Sequence, residues 1–430
     1  MKGKIAYYLK QESSKNVIWL FLDKILRLGV GLIVGVLVAR YLGPELFGKW
    51  NYAIAFISLV SAIATLGLDQ IVVKHLLDKN EEERLLLGTA FYLRLIGSFI
   101  CTIFVVTYFY FFKNDSLLLG VAFLTVLNLW FQAFDVIDLK NQSLLQSRKT
   151  VIVKNSVFVV LSIVRLFFVY FKFSLISFVF LGLLECMLGA LGLILYYGIN
   201  NFTEWKFNIA YCNVLLKQAW PLILSGIVIM MYMRLDQIMI GEMIGDRGVG
   251  LYSVSTRFTE LWYFIPSVFA SSFFPKLVEK FNINKNNYYD VCLKLLKLLF
   301  VISFSIALFF TFSSNFIINF LYGKEYIMSV FALQISIWTG VFVFWGVAAG
   351  NMLVIENLNK HNLIKSIQGL LLNILLNLML IPKYGINGAA IATLISQFYA
   401  SYLYYFFFKK TRHIFILQTK SILFFNYVPS

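Results

Sequence analysis

Long apolar runs follow one another through most of this 430-residue chain. About twelve of them can cross the roughly 30 Å hydrocarbon layer of a bilayer as α-helices, which rise 1.5 Å per residue. Hydrophobic residues make up 60% of the sequence and charged residues only 13%. A water-soluble fold could not bury that much apolar surface. The sequence therefore predicts an all-α integral membrane protein.

A faint internal repeat relates the two halves of the chain. At one constant offset the aligned pairs are Gly43 with Gly245, Gly48 with Gly250, Trp50 with Tyr252, Phe56 with Phe258, and Lys74 with Lys276. Two related membrane halves in one chain are typical of transporters that open alternately to either side of a membrane. We therefore expect two pseudo-symmetric six-helix lobes around a central cavity.

The polar stretches between the apolar runs predict the domain limits. We expect a cytoplasmic N-terminal segment, an N-lobe with helices 1–6, a cytoplasmic linker, a C-lobe with helices 7–12, and a basic tail that is either interfacial or disordered. These cover residues 1–16, 17–197, 198–219, 220–408 and 409–430, in that order. No loop is long enough to fold a domain of its own, which weighs against a membrane enzyme with a soluble catalytic module.

Lysines and arginines concentrate in one set of loops, which predicts that both termini are cytoplasmic. The opposite loops hold only Arg40, Lys49, Lys113, Lys172, Arg247, Lys324 and Lys383. Although the net charge is +16, it is spread over short loops and forms no basic face, so we predict no nucleic-acid partner. The sequence also shows no phosphate-binding loop, metal-ligand spacing or catalytic constellation, so we predict neither a cofactor nor an enzymatic activity.

Charged residues inside the apolar runs are the candidate functional residues, because a charge at bilayer depth costs about 3 kcal/mol or more and usually faces a partner or a wet cavity. The candidate ligands of an anionic substrate are Arg94, Arg165, Arg234, Arg257, Lys24 and Arg27. The candidate sites for Na⁺ or H⁺ coupling are Asp23, Asp69, Glu185, Asp236 and Glu260. Arginine suits phosphate because its planar fork donates two hydrogen bonds and stays charged.

Two alternatives remain open for these side chains. They can form salt bridges between helices, or they can extend to the membrane surface. Asp23 lies four residues before Arg27, and Arg257 lies three before Glu260, so each pair can meet on one helix face. The buried amides Asn128, Gln132, Asn373, Asn377 and Gln397 can either contact sugar hydroxyls or join helices.

Several segments resemble one known family. Residues 43–48 (Gly-Pro-Glu-Leu-Phe-Gly) and 65–69 are similar to the first extracytoplasmic turn and the end of the second helix of the polysaccharide flippases. Residues 236–241 resemble their seventh helix, and residues 384–390 (Tyr-Gly-Ile-Asn-Gly-Ala-Ala) resemble their final helix pair. These O-antigen and capsule repeat-unit flippases belong to the multidrug/oligosaccharidyl-lipid/polysaccharide exporter superfamily. The resemblance covers nearly the whole chain.

The resemblance implies a fold like that of the multidrug and toxin extrusion (MATE) transporters. It also implies a function: flipping polyprenyl-diphosphate-linked oligosaccharides from the inner to the outer leaflet of the bacterial cytoplasmic membrane, for lipopolysaccharide O-antigen or capsule. The implied partners are this lipid-linked cargo, the membrane lipids, a glycan polymerase and a chain-length regulator. The alternative is a cation-coupled drug antiporter of the same superfamily, which requires a surplus of acidic groups in the cavity.

Overall fold

A computed structural model of the chain describes residues 2–77 and 82–422. Within these ranges it describes the side chains of residue 19 and of residues 21 onward. The predicted N-terminal segment, residues 1–16, and the end of the predicted tail, residues 423–430, therefore have no described side chains. All regular secondary structure in the described part of the chain is helical. Contacts divide the chain into two compact units, which we name unit 1 (Met1–Met230) and unit 2 (Met231–Ser430).

Unit 1 begins with a long helix that bends in the middle. At Gly43 the backbone takes φ 73° and ψ 170°, a conformation that only glycine adopts readily. Pro44 comes next. Proline is favoured as the first residue of a helix because it has no N–H group that would be left unpaired there. The helices are α1 (Lys2–Thr65), α2 (Leu68–Leu77), α3 (Glu83–Phe112), α4 (Ser116–Val126), α5 (Asn128–Gln132), α6 (Val136–Ser143), α7 (Ser147–Tyr170), α8 (Leu175–Tyr197), α9 (Ile199–Thr203) and the first part of α10 (Ile209–Ile244).

Unit 2 contains the end of α10 and a second bend of the same kind. Gly245, with φ 87° and ψ 178°, connects α10 to the next helix. The remaining helices are α11 (Asp246–Glu260), α12 (Phe264–Ile283), α13 (Lys285–Leu321), α14 (Ser329–Ile355), α15 (Asn359–Tyr384), α16 (Ile386–Phe398), α17 (Tyr404–Phe407) and α18 (Arg412–Ile422). Gly43 and Gly245 are thus aligned in the sequence repeat and share one unusual backbone conformation.

Ten helical stretches in the described residues are long and apolar enough to span a membrane. The first of them, Phe21–Leu77, has 57 residues, more than twice the ~20 that one crossing needs. The apolar run after Gly385 is not among the ten, because a π-helical segment at Tyr399–Leu403 separates α16 from α17. The number twelve therefore stays a prediction.

The predicted linker between the halves packs closely on unit 1. Trp205 is buried in the core formed by α2, α3 and the start of α10, and Arg84 pairs with Glu204 at 2.5 Å. The linker backbone passes close to Gly88 of α3, where an added Cβ would lie 3.0 Å from the backbone carbonyl carbon of Lys206. The boundary between the units falls later, inside α10, so the predicted limits of the lobes stay a prediction.

The described part of the C-terminal tail is a helix that packs on unit 2. The side chains of Ile414 and Leu417 on α18 are buried, and Gln418 Nε2 donates to the carbonyl oxygen of Ser401 at 2.9 Å. His413 Nε2 lies 2.8 Å from Glu356 Oε2. Residues 412–422 are therefore folded against the protein.

Outside the spans, Asp115 caps the N-terminus of α4. Its Oδ1 accepts from the backbone N–H of Leu118 at 3.0 Å, and its carboxylate pairs with Lys49 on α1. Burial on its own would raise the pKa of Asp115. The hydrogen bonds from Lys49 and Leu118 and the positive charge of Lys49 outweigh this effect of burial, so the pKa of Asp115 is lowered. The contact ties the second half of α1 to α4.

Candidate functional site

Two arginines of unit 1 meet at one carboxylate. Arg165 Nη2 donates to Glu185 Oε2 at 2.7 Å, and Arg27 Nη1 lies 4.0 Å from Glu185 Oε1. Arg27 Nε donates to Asp23 Oδ1 at 2.9 Å, so the predicted pair on α1 is present. We name these four residues, Asp23, Arg27, Arg165 and Glu185, the arginine cluster. They come from α1, α7 and α8, all of which are candidate membrane spans.

Further contacts fix the two guanidinium groups differently. The Arg27 guanidinium carbon lies 5.2 Å from the centre of the Phe158 ring, which is a cation–π distance. Arg165 is more buried, with 14% of its side chain exposed, and its Nε is buried without a hydrogen-bond partner in the described structure. Leaving a buried donor unpaired costs about 1–3 kcal/mol. Arg165 therefore keeps one donor that its present partner, Glu185, does not satisfy.

Three charged residues next to this cluster were missed by the sequence interpretation. Lys154 Nζ lies 2.7 Å from Asp135 and 3.9 Å from Asp138. Lys154 follows Arg148 and Lys149 in a basic stretch of the sequence, yet it lies in α7, one of the candidate spans. The available signal was Asp135 and Asp138, three residues apart at the end of an apolar run and hence on one helix face. Together the three residues add two negative charges and one positive charge beside the cluster.

The other predicted cations of unit 1 lie outside the cluster's contacts. Arg94 pairs with Asp69 of α2, and only 4% of the Arg94 side chain is exposed against 62% for Asp69. Lys24 is exposed and has no ion-pair partner in the described part of the chain. Arg94 therefore holds α2 against α3, whereas Lys24 is accessible.

In unit 2, Arg234 and Glu260 form a fork-to-fork pair. Nη1 and Nη2 of Arg234 each donate to one oxygen of Glu260 at 3.2 Å. The pair that we considered between Arg257 and Glu260 does not form, because Arg234 of α10 occupies both carboxylate oxygens. Arg257 is half-buried and, among the described residues, has no ion-pair partner within 4 Å.

Asp236 is a buried carboxylate held by neutral groups. It accepts from the Tyr252 hydroxyl at 2.9 Å and from Asn377 Nδ2 at 2.6 Å, and also from the Thr393 hydroxyl. Its exposed fraction is 6%, and the described residues offer it no cationic partner. Two of the five amides that can contact sugar hydroxyls or join helices, Asn373 and Asn377, lie here, and Asn377 Nδ2 also donates to Asn373 Oδ1 at 3.1 Å. We name these five residues, Asp236, Tyr252, Asn373, Asn377 and Thr393, the aspartate cage.

The aspartate cage has the donor set of a site for a hard cation. Carboxylate, hydroxyl and amide oxygens are the ligands that such cations prefer. Asn377 Oδ1 is buried and has no hydrogen-bond partner in the described structure, so one oxygen of the cage remains free to bind. No group of three or more His, Cys, Asp or Glu able to hold a metal ion occurs in the described residues.

Comparison with known proteins identifies the family. Residues 37–331 match the family described as polysaccharide biosynthesis protein. The chain belongs to this polysaccharide biosynthesis family. Its sequence is 23% identical over 409 residues to the capsular polysaccharide biosynthesis protein CapF of Staphylococcus aureus, a match that covers 92% of this chain and 99% of CapF. The family predicted from residues 43–48 and the other segments is therefore confirmed.

Solved structures show which fold this family member adopts. An inward-facing multidrug resistance MATE family transporter matches with a TM-score of 0.68 and 14% identity, over 94% of this chain and 99% of that one. The lipid II flippase MurJ, in an inward closed conformation, matches with a TM-score of 0.68 and 19% identity, over 95% of this chain and 90% of MurJ. The predicted MATE-like all-α fold is confirmed, and the protein is a multi-pass membrane protein.

Within this family member, the structure brings the predicted residues together in separate groups. Four of them form the arginine cluster, two form the Arg94–Asp69 pair and two form the Arg234–Glu260 pair. Asp236 lies in its own cage, while Lys24 and Arg257 remain without ion-pair partners in the described structure. Each predicted carboxylate other than Asp236 contacts a predicted arginine.

Proposed function

We propose that this protein is a flippase for polyprenyl-diphosphate-linked oligosaccharides. It moves O-antigen or capsule repeat units from the inner to the outer leaflet of the bacterial cytoplasmic membrane by alternating access, and both of its termini lie in the cytoplasm. The supporting observation is the arginine cluster: in a member of a polysaccharide biosynthesis family, Arg27 and Arg165 converge from two membrane-spanning helices on one anion.

The chemistry of the cargo explains why arginines would be needed. A diphosphate cannot enter hydrocarbon without a replacement for its water, and guanidinium forks supply charge-assisted hydrogen bonds in the geometry of phosphate oxygens. Lys24 and Arg257 lack ion-pair partners in the described structure and can bind an anion directly. Arg27, Arg165 and Arg234 can do so only by exchanging their present carboxylates for the cargo. Arg94, which is almost fully buried, contributes positive potential.

We also propose that Asp236 couples transport to Na⁺ or H⁺. Its carboxylate is desolvated and held by hydroxyl and amide groups, so a bound monovalent cation or a proton would neutralise it. Asn377 Oδ1 provides a further oxygen ligand for Na⁺. The other predicted carboxylates, Asp23, Asp69, Glu185 and Glu260, are weaker candidates because an arginine already compensates each of them.

The drug antiporter remains the alternative, and the aspartate cage is the observation that favours it, because a cation-coupled antiporter needs such a group. Against it, the carboxylates of the arginine cluster are engaged by arginines and are not free to hold a cationic drug. Deleting the gene in its host distinguishes the two functions. The experiment measures lipid-linked repeat units and surface polysaccharide together, with drug tolerance measured in parallel.

We expect loss of surface polysaccharide, with single repeat units retained on their carrier. Complementation by wild type should restore the polymer, and Arg165→Gln should not. Arg84→Gln is the matched control, since it removes an arginine from the exposed Arg84–Glu204 pair of the same unit. Unchanged surface glycan together with altered drug tolerance would refute the flippase and support the antiporter.

A further inference from the structure

Glu185 occupies the position that an anionic ligand of the arginine cluster would take. We infer that Glu185 is an internal competitor: a carboxylate that the cargo diphosphate must displace from Arg165 and Arg27 before it can bind. This inference rests on the proposed function, because it takes the arginine cluster as the binding site for the cargo diphosphate.

The contacts of the two arginines show that Glu185 can leave without dismantling the cluster. Arg27 is held independently of it, by Asp23 at 2.9 Å and by the Phe158 ring. Its distance to Glu185, 4.0 Å, is the longer of the two arginine contacts. When Glu185 turns away, Arg27 Nη1 and Arg165 Nη2 become available together. The Glu185 side chain is 21% exposed, so it is not enclosed by the packing around it.

The charges of the cluster favour exchange of the carboxylate for a diphosphate. Arg27 and Arg165 are balanced by Asp23 and Glu185, so the cluster is neutral as it stands. A phosphodiester with one negative charge replaces the Glu185 carboxylate without electrostatic gain. A diphosphate carries more charge, and its two phosphate groups can engage two guanidinium groups at once. Glu185 itself lowers the affinity for every anion that must displace it.

The test compares two small anions on the purified protein in nanodiscs. Isothermal titration with inorganic pyrophosphate and with inorganic phosphate gives the affinities of both anions for wild type and Glu185→Gln. Because both anions must displace the same carboxylate, we expect the variant to bind each of them about tenfold more tightly, which corresponds to about 1.4 kcal/mol.

Glu204→Gln is the matched control, because it also removes one carboxylate from an arginine pair in unit 1, but at an exposed position. Its affinities for both anions should equal those of wild type. Because Glu185→Gln leaves Arg165 without a described ion-pair partner, its thermal unfolding temperature should be lower without ligand, and pyrophosphate should raise it more than in wild type. Should the glutamine variant fail to fold, Glu185→Asp, whose shorter carboxylate lies farther from Arg165, should show intermediate affinities.

The outcomes separate this inference from the proposed function. If Arg165→Gln abolishes pyrophosphate binding but Glu185→Gln leaves the affinity for pyrophosphate unchanged, the displacement is refuted while the anion site stands. If pyrophosphate binds Arg27→Gln and Arg165→Gln as well as wild type, the arginine cluster is not the cargo site, and both are refuted. If wild type binds neither anion and Glu185→Gln binds pyrophosphate, the displacement is supported in its strongest form.

Discussion

Replacing Asp236 by asparagine should abolish cation coupling while leaving the fold intact. The substitution preserves the size of the side chain and removes its charge. Two of its hydrogen-bond partners, Tyr252 and Thr393, are hydroxyl groups that can accept as well as donate. The third, Asn377, has a buried Oδ1 without a partner, so turning its amide would present an acceptor to the new side chain.

The expected magnitudes follow from these contacts. For Asp236→Asn we expect a change in the free energy of unfolding within about 1 kcal/mol, the net contribution of one hydrogen bond. Asp236→Ala removes the acceptor altogether. Thr393 can still donate to the carbonyl oxygen of Ala389 at 3.0 Å, but Tyr252 and Asn377 lose their strongest bonds. At about 1–3 kcal/mol for each buried donor that is left unpaired, the alanine variant should lose about 2–6 kcal/mol.

The assay has two parts. Thermal unfolding in detergent ranks the stabilities of wild type, Asp236→Asn and Asp236→Ala. Transport of a lipid-linked oligosaccharide in proteoliposomes, measured with and without an imposed Na⁺ or proton gradient, reports coupling. We expect the asparagine variant to unfold near the wild-type temperature and to show transport that no longer responds to either gradient. A variant that is well folded and still responds fully to the gradient would show that Asp236 is not the coupling group.

Three further predictions concern single contacts. Arg257→Gln should reduce surface polysaccharide at unchanged thermal stability, because no ion pair is lost with it, whereas stability lost in parallel with transport would indicate a structural role. Gly245→Ala should lower the free energy of unfolding by about 1–3 kcal/mol through backbone strain alone, since nothing lies within 4 Å of the added Cβ. Thermal unfolding measures this loss, and an unchanged unfolding temperature would contradict the prediction. Because the pKa of Asp115 is lowered in the folded state, its contacts with Lys49 and Leu118 stabilise the fold at pH values above the unfolded pKa of about 3.9. This contribution is lost as the pH falls through the folded-state pKa of Asp115. Asp115→Asn should therefore show a weaker loss of thermal stability than wild type between pH 6 and pH 3, and identical pH profiles would refute the assignment.

Contacts within one helix could be predicted from the sequence, but contacts between helices could not. Asp23 and Arg27 are four residues apart, and helix geometry alone brings them together. The same rule failed for Arg257 and Glu260, because Arg234 competes from another helix and offers both of its Nη groups. Which helix faces which depends on rotations and shifts that hydropathy does not encode.

The bends were predictable because they need a particular residue. A backbone at positive φ followed by a new helix requires glycine, so an aligned pair such as Gly43 and Gly245 carries structural information that survives when most side chains have diverged. The three residues missed beside the arginine cluster carry a weaker signal. The spacing of Asp135 and Asp138 indicates a shared helix face, but Lys154 lies in a basic stretch of the sequence, and only the packing of α7 brings it to the two carboxylates.

The two units share their bends but not their charges. At the offset that aligns Gly43 with Gly245, Asp236 aligns with Val34 and Arg257 with Ala55, while Arg27 aligns with Ile229. Each unit keeps the glycine at its bend and therefore the same local backbone conformation. The charged side chains differ between the units, so they can bind different ligands. Unit 1 balances its two clustered arginines with carboxylates that an anion can replace. Unit 2 buries a carboxylate that only a cation or a proton can neutralise. The proposed coupling of an anionic cargo to a cation gradient needs both kinds of group, and this division of charge supports that proposal.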